Sequence, residues 1–203
     1  MTPERKARIN NVLNRRQPDL TVVMENVHDP HNISAVMRTC DSVGIQEIYV
    51  LNTITRSPTK FGKKSSAGVL GWITIHQFDS TEACMKALKE KGYKCYATHL
   101  GEQAHSLYEL DMTEPVALIF GNEHAGVTEE CLSYCDGNFI IPQGGMVQSQ
   151  NISVASAVTL YEAFRQREQK GFYDGNVRLS EAQYKMLADK WGLLPEDGKI
   201  SAE

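Results

Sequence analysis

Three short runs of this 203-residue chain combine hydrogen-bonding or charged side chains with the backbone freedom that a ligand site needs. The longest, Phe139 to Glu162, reads F-I-I-P-Q-G-G-M-V-Q-S-Q-N-I-S-V-A-S-A-V-T-L-Y-E. It opens as a short apolar strand, breaks at Pro142 and Gly144-Gly145, and becomes a helix past Ser149, Asn151 and Ser153. The glycine pair lets the backbone approach a ligand closely, and hydroxyls and an amide crowd the start of a helix whose first N–H groups are unpaired. Such a place can hold a polar small molecule, although a well-capped strand-to-helix joint has the same composition. The second run, Gly121-Asn122-Glu123-His124-Ala125-Gly126, is a glycine-bracketed loop with an acid at its centre. The third sets Asn32 in the first turn of a helix and Arg38 further along, where Val36, Met37 and Cys40 predict mostly buried surroundings. A charge there needs a partner or a purpose, and a salt bridge to an acid elsewhere is the plainer reading.

The elements that must position these runs are legible from periodicity and punctuation. Residues 1 to 16 read as a helix ended by Pro18, with Arg5, Arg8, Arg15 and Arg16 within an arc of roughly 100°. Leu20 to Val27 is an apolar strand, followed by a helix with Asp29 as N-cap, Pro30 as first residue and Gly44 at its end. Further strands are expected at Glu47–Leu51, Trp72–His76, Tyr93–Thr98, Val116–Phe120 and around Asn138, with helices over residues 80–91, about Thr128–Cys135 and about Ser180–Lys190. Strands alternating with helices imply a doubly wound α/β fold with a mostly parallel sheet, whose ligands sit beyond the carboxyl ends of the strands. Three such ends carry the candidate residues: Thr98-His99-Leu100, the Gly121–Gly126 loop, and Ile141-Pro142 with its glycines.

Composition narrows the classes. The longest apolar runs are far below the roughly 20 residues of a membrane span, and the N-terminal M-T-P-E-R-K-A-R lacks a signal-peptide core, so no membrane association is expected. Cys40, Cys84, Cys95, Cys131 and Cys135 are odd in number and without C-x-x-C spacing, which fits reduced core residues of a cytoplasmic protein and no metal site. No G-x-G-x-x-G occurs, and F-G-K-K-S fails as a phosphate loop because Ser57 stands where its first glycine belongs. Formal net charge is −4, yet Glu4 to Arg16 holds five basic residues against one acid and Arg56 to Lys64 holds four against none. A localised basic footprint for a large anionic partner is compatible with that distribution, and so is a pair of solvated faces.

Taken together, H-N-I-S-A-V-M-R-T-C-D-S-V-G, L-I-F-G-N-E-H-A-G-V and I-I-P-Q-G-G-M-V-Q-S-Q-N-I-S-V-A-S-A resemble, in order and spacing, the three signature motifs of the SpoU (TrmH) branch of the SPOUT RNA 2′-O-methyltransferases. The N-terminal R-R-Q-P-D-L-T-V-V-M-E-N-V-H-D-P-H-N resembles the members that modify the D-loop guanosine 18 of tRNA, and the likeness runs from about residue 4 to residue 170. The resemblance implies an α/β sheet with a deep C-terminal trefoil knot, a homodimer, and an S-adenosylmethionine site near the dimer interface. It divides the chain into an N-terminal RNA-binding helix (1–18), a methyltransferase domain (19–168) and a C-terminal helical extension (169–203). By position it assigns the cofactor pocket to Thr98, Leu100, Gly121, Ile141, Met146 and Gln150, the last standing where the family usually has leucine. Arg38 matches the catalytic arginine; clamping a phosphate and stabilising a developing alkoxide suit a guanidinium better than acting as base. Asn32, Glu123, Ser149 and Asn151 match the other motif positions, with organising roles. Phosphate contacts with tRNA fall to Arg8, Arg15 and Arg16 on the helix and to Arg56, Lys60, Lys63 and Lys64 in the loop. The same chemistry on ribosomal RNA or another tRNA nucleotide, and a non-catalytic RNA-binding knot protein, remain alternatives at this stage.

Overall fold

The computed structural model describes residues 1–54, 68–101, 104–147 and 149–193. In chain order the elements are α1 (Pro3–Asn14), β1 (Leu20–Glu25), α2 (Pro30–Ser42), β2 (Glu47–Leu51), β3 (Thr74–Phe78), α3 (Thr81–Glu90), β4 (Lys94–Thr98), β5 (His105–Ser106), β6 (Val116–Phe120), α4 (Glu129–Ser133), β7 (Gly137–Ile140), α5 (Ile152–Gln169) and α6 (Glu181–Lys190). The strands form one seven-stranded sheet in the order β3-β2-β1-β6-β4-β7-β5, and every neighbouring pair is parallel.

The central strands β1 and β6 are buried at every position, as near-continuous apolar runs covered on both faces must be. Alternation along β1 sends Leu20, Val22 and Met24 to a core shared with α2 and α5, and Val23 to a second core shared with α3 and α4. Each such side chain contributes about 1.5–3 kcal/mol when fully buried. The start of α2 follows the expected rule: Asp29 accepts from the His31 N–H at 2.8 Å and Pro30 opens the helix. Past its end, Gly44 has φ +85°, and a Cβ there would lie 2.5 Å from the Arg15 carbonyl oxygen.

Three local expectations shift. β3 begins two residues later than its pattern suggested, because Val69–Gly71 form a 3₁₀ turn that carries the chain into the sheet edge. β5, two residues long, is too short to leave a pattern. Arg16 leaves the proposed RNA-contact stripe. The helix stops at Asn14, so the following residues turn inward, and Arg16 is 0% exposed. Its guanidinium donates to the Ile45 carbonyl at 3.0 Å, Asp41 at 2.8 Å and the Trp72 carbonyl at 3.0 Å, and lies over the Trp191 ring. Arg167 on α5 is buried in the same manner, tying Gln17, Asp19, Met112 and Glu114 together. Arg8 remains exposed and Arg15 half-buried. Arg56, Lys60, Lys63 and Lys64 lie outside the described residues.

Helices α1 and α6 pack on one another around Ile9, Leu13, Leu187 and Trp191, a third core that joins the two ends of the described chain. All five cysteines are free, and burial pushes the Cys84 and Cys95 thiols up to about 12, so they pack rather than react. Among the described residues no helix is long and apolar enough to cross a membrane, and no cluster of potential metal ligands occurs.

Candidate active site

The loop after β6 is closed on itself by its glycines. A Cβ on Gly121 would stand 2.1 Å from the backbone carbon of Gly126, closer than any side chain tolerates, so only glycine permits this crossing. Asn122 and Gly126 exchange backbone hydrogen bonds of 3.0 and 2.8 Å, with Gly126 at φ +71°. The Asn122 side chain accepts from the His124 and Ala125 N–H groups and donates to the Asn26 carbonyl at 3.0 Å. Glu25, an acid buried at the end of β1, accepts from the Thr128 N–H at 2.9 Å and its hydroxyl at 2.5 Å, while that hydroxyl caps α4. Asn26, at φ +52°, accepts from the Thr53 and Ile54 N–H groups. Sequence reasoning passed over Glu25 and Asn26 and gave Asn122 no role of its own within its loop; the signal for the first two was an acid and an amide ending the apolar strand L-T-V-V-M-E-N.

Held this way, the loop presents Glu123 to α2. Asn32 Nδ2 donates to Glu123 Oε1 at 2.8 Å, and Asn32 Oδ1 accepts from Asn151 Nδ2 at 3.1 Å. Asn151 is the N-cap of α5, accepting with its Oδ1 from the Ser153 N–H at 2.8 Å and the Ser153 hydroxyl at 2.6 Å. Three residues separated by up to 119 positions thus form one hydrogen-bonded chain, with each amide oriented at both of its ends.

Beside this chain lies a cavity of about 470 Å³ at the carboxyl ends of β4, β6 and β7. Of the expected pocket residues, Thr98, Leu100, Gly121, Ile141 and Gln150 line it, together with Glu123 and Ser149. Met146 does not, and is 98% exposed. Arg38 also differs from expectation: it is exposed, lies outside the cavity lining, and has no partner among the described residues. The inward stripe of α2 is Ile33, Val36, Met37 and Cys40, and Arg38 falls about 140° around the helix from Ile33, so apolar sequence neighbours do not enclose it.

A cavity surrounded by the adjacent strand ends and loops of a parallel α/β sheet is where such folds place small-molecule sites. The profile of the SpoU rRNA Methylase family matches residues 19–161, and the chain belongs to this family. It is 47% identical over 188 residues to the tRNA (guanosine(18)-2′-O)-methyltransferase of Thermus thermophilus, covering 93% of this chain and 96% of that one. The crystal structure of the A. aeolicus TrmH/SpoU tRNA modifying enzyme superposes with a TM-score of 0.85 at 37% identity, covering 93% and 94% of the two chains. The AdoMet-bound rRNA methyltransferase of Sinorhizobium meliloti aligns at 26% identity and a TM-score of 0.64, over 77% of this chain and 59% of that one.

Proposed function

We propose that this chain transfers the methyl group of S-adenosylmethionine to the ribose 2′-hydroxyl of a tRNA nucleotide, the D-loop guanosine 18. The observation that carries the reading is the Glu123–Asn32–Asn151 chain at the rim of the strand-end cavity, in a sequence 47% identical to an enzyme of that name. The residues present fit the cofactor. The volume lies within the range of about 300–1,000 Å³ typical of small-molecule sites, and Gly121 makes a backbone crossing that a Cβ would block. Thr98, Leu100, Gly121, Ile141 and Gln150 would hold it, and Met146 joins them only if its loop moves or another surface covers it. When bound, S-adenosylmethionine supplies a methyl group already activated on a sulfonium, so the protein has mainly to position and to stabilise charge.

Within that reading, Asn32 fixes the Glu123 carboxylate and Asn151 fixes Asn32, giving a rigid polar rim with Ser149 beside it. Arg38 clamps a phosphate of the substrate and stabilises the oxyanion that develops on the ribose, while that phosphate or another acceptor takes the proton. An exposed Arg38 outside its own cavity lining supports a homodimer in which Arg38 serves the cavity of the other copy. Met146, Val147, Val154 and Tyr161, all exposed, offer that dimer an apolar face along the site loop and α5. The C-terminal trefoil threading belongs to the same reading, supported by the likeness to a family structure over 93% of the chain. Arg8 and Arg15 remain the described candidates for RNA phosphate contacts, and reduced cysteines agree with a cytoplasmic place of work.

The test uses radiolabelled S-adenosylmethionine and two unmodified transcripts, one normal and one 2′-deoxy at guanosine 18. Label is expected in the normal transcript alone. Equal label in both would overturn the position, and label in neither would overturn the tRNA substrate.

A further inference from the structure

A second cleft, of about 480 Å³, lies between α1, α6 and the turn at Trp72, and shares no lining residue with the cavity at the strand ends. Its walls are apolar and aromatic: Ile9 and Val12 come from α1, and the Trp72 and Trp191 rings meet edge-on with centroids 5.2 Å apart. Arg5 and Arg8 border it, both exposed and without an ion-pair partner among the described residues. Glu4 stands beside them, while the other acid of the lining, Asp41, is already engaged by Arg16.

Two buried donors in this lining lack an acceptor among the described residues: Arg16 Nε and Trp191 Nε1. Arg16 is fully buried and has committed both terminal nitrogens, to Asp41 and to the Ile45 and Trp72 carbonyls, which leaves Nε over. Both atoms are sealed from solvent, so the accessible cations of the cleft are the guanidinium groups of Arg5 and Arg8. Trp191 is 6% exposed and lies under the Arg16 guanidinium, so the half-buried Trp72 ring is the aromatic surface the cleft presents. With cations at the rim, that surface matches one nucleotide better than a simple anion, which has no use for an indole.

We propose that this cleft receives one unstacked nucleotide of the RNA substrate, its base against Trp72 and its phosphate at Arg5 and Arg8. The proposal rests on the reading of the chain as a tRNA-modifying enzyme and adds a contact remote from methyl transfer. A base held here would fix the register of the RNA on the terminal helices through stacking, which tolerates any base.

The chain contains two tryptophans and both line this cleft, so its tryptophan emission reports the site directly. The full-length protein would be titrated with the tRNA transcript, with guanosine 5′-monophosphate and with inorganic phosphate, while filter retention measures transcript binding independently. Saturable quenching by transcript and by the nucleotide, with little from phosphate, is expected. Trp72→Leu and the double variant Arg5→Ala, Arg8→Ala should each raise KM for the transcript by about tenfold, with cofactor affinity unchanged. Unchanged emission with transcript fully bound, or an unchanged KM in both variants, would overturn the cleft while leaving the methyltransferase reading intact. Quenching by phosphate equal to that by the nucleotide would overturn base binding. A transcript that neither binds nor takes label would instead sink the enzyme reading, and the nucleotide titration then decides the cleft alone: quenching supports it, silence overturns it.

Discussion

At the residue scale, the site depends on polar groups whose partners come from distant parts of the chain. Glu123, Asn32 and Asn151 were identifiable from their motif neighbourhoods, and the fold joins them through contacts of 2.8 and 3.1 Å. Arg38 was identifiable too, but its surroundings were not, since flanking apolar residues share its sequence neighbourhood and not its helix face. Arg16 illustrates the converse error: a basic stripe read on a helical wheel fails once the helix ends two residues earlier. For Arg38→Ala we expect kcat to fall about 10²–10³-fold, the usual cost of removing a donor aimed at developing negative charge. Cofactor affinity by calorimetry should stay within twofold, roughly. Retained turnover would remove Arg38 from the mechanism.

At the element scale, loops at strand ends carry the site and the strands carry the loops. Gly121→Ala would drive a Cβ into the Gly126 backbone and push the loop off β6. S-adenosylmethionine should then bind at least about tenfold more weakly, equivalent to 1.4 kcal/mol, while circular dichroism reports an intact sheet; unaltered affinity would show that the crossing is dispensable. At the far edge of the sheet, Glu47 on β2 accepts from His76 on β3 at 3.1 Å and pairs with Lys91 just past α3. These contacts, the His76 hydrogen bond foremost, hold its carboxyl at about 2, well below the usual 4.5. A carboxyl lowered by folding stabilises the protein above its unfolded value, and that share disappears as pH falls from about 4.5 to 2. Solvent screening of this partly exposed cluster reduces the loss to on the order of 1 kcal/mol. Urea midpoints measured at pH 6 and pH 3 should therefore converge in Glu47→Gln relative to the parent, and an equal pH dependence in both would discount the clamp.

At the scale of the whole molecule, an arginine outside its own cavity and an apolar face on α5 bear on assembly. If Arg38 acts across a two-fold axis, mixing Arg38→Ala with Gly121→Ala subunits, at a cofactor concentration too low to fill the Gly121→Ala cavity, should restore up to about a quarter of the parental activity, because half the random dimers then contain one complete site. Activity confined to one chain would leave every mixture dead. The sequence by itself determined the α/β class, six of the seven strands, the strand ends that matter and the motif residues, because period-two and helical patterns, caps and glycines are local properties of the chain. Only the tertiary structure decided that Glu25, Asn26 and Asn122 hold the loop and that Arg16 and Arg167 are internal ties. It also decided that the two tryptophans share one cleft. Those facts depend on which distant segments meet, and burial and hydrogen-bond partners at such meetings leave no period in the sequence.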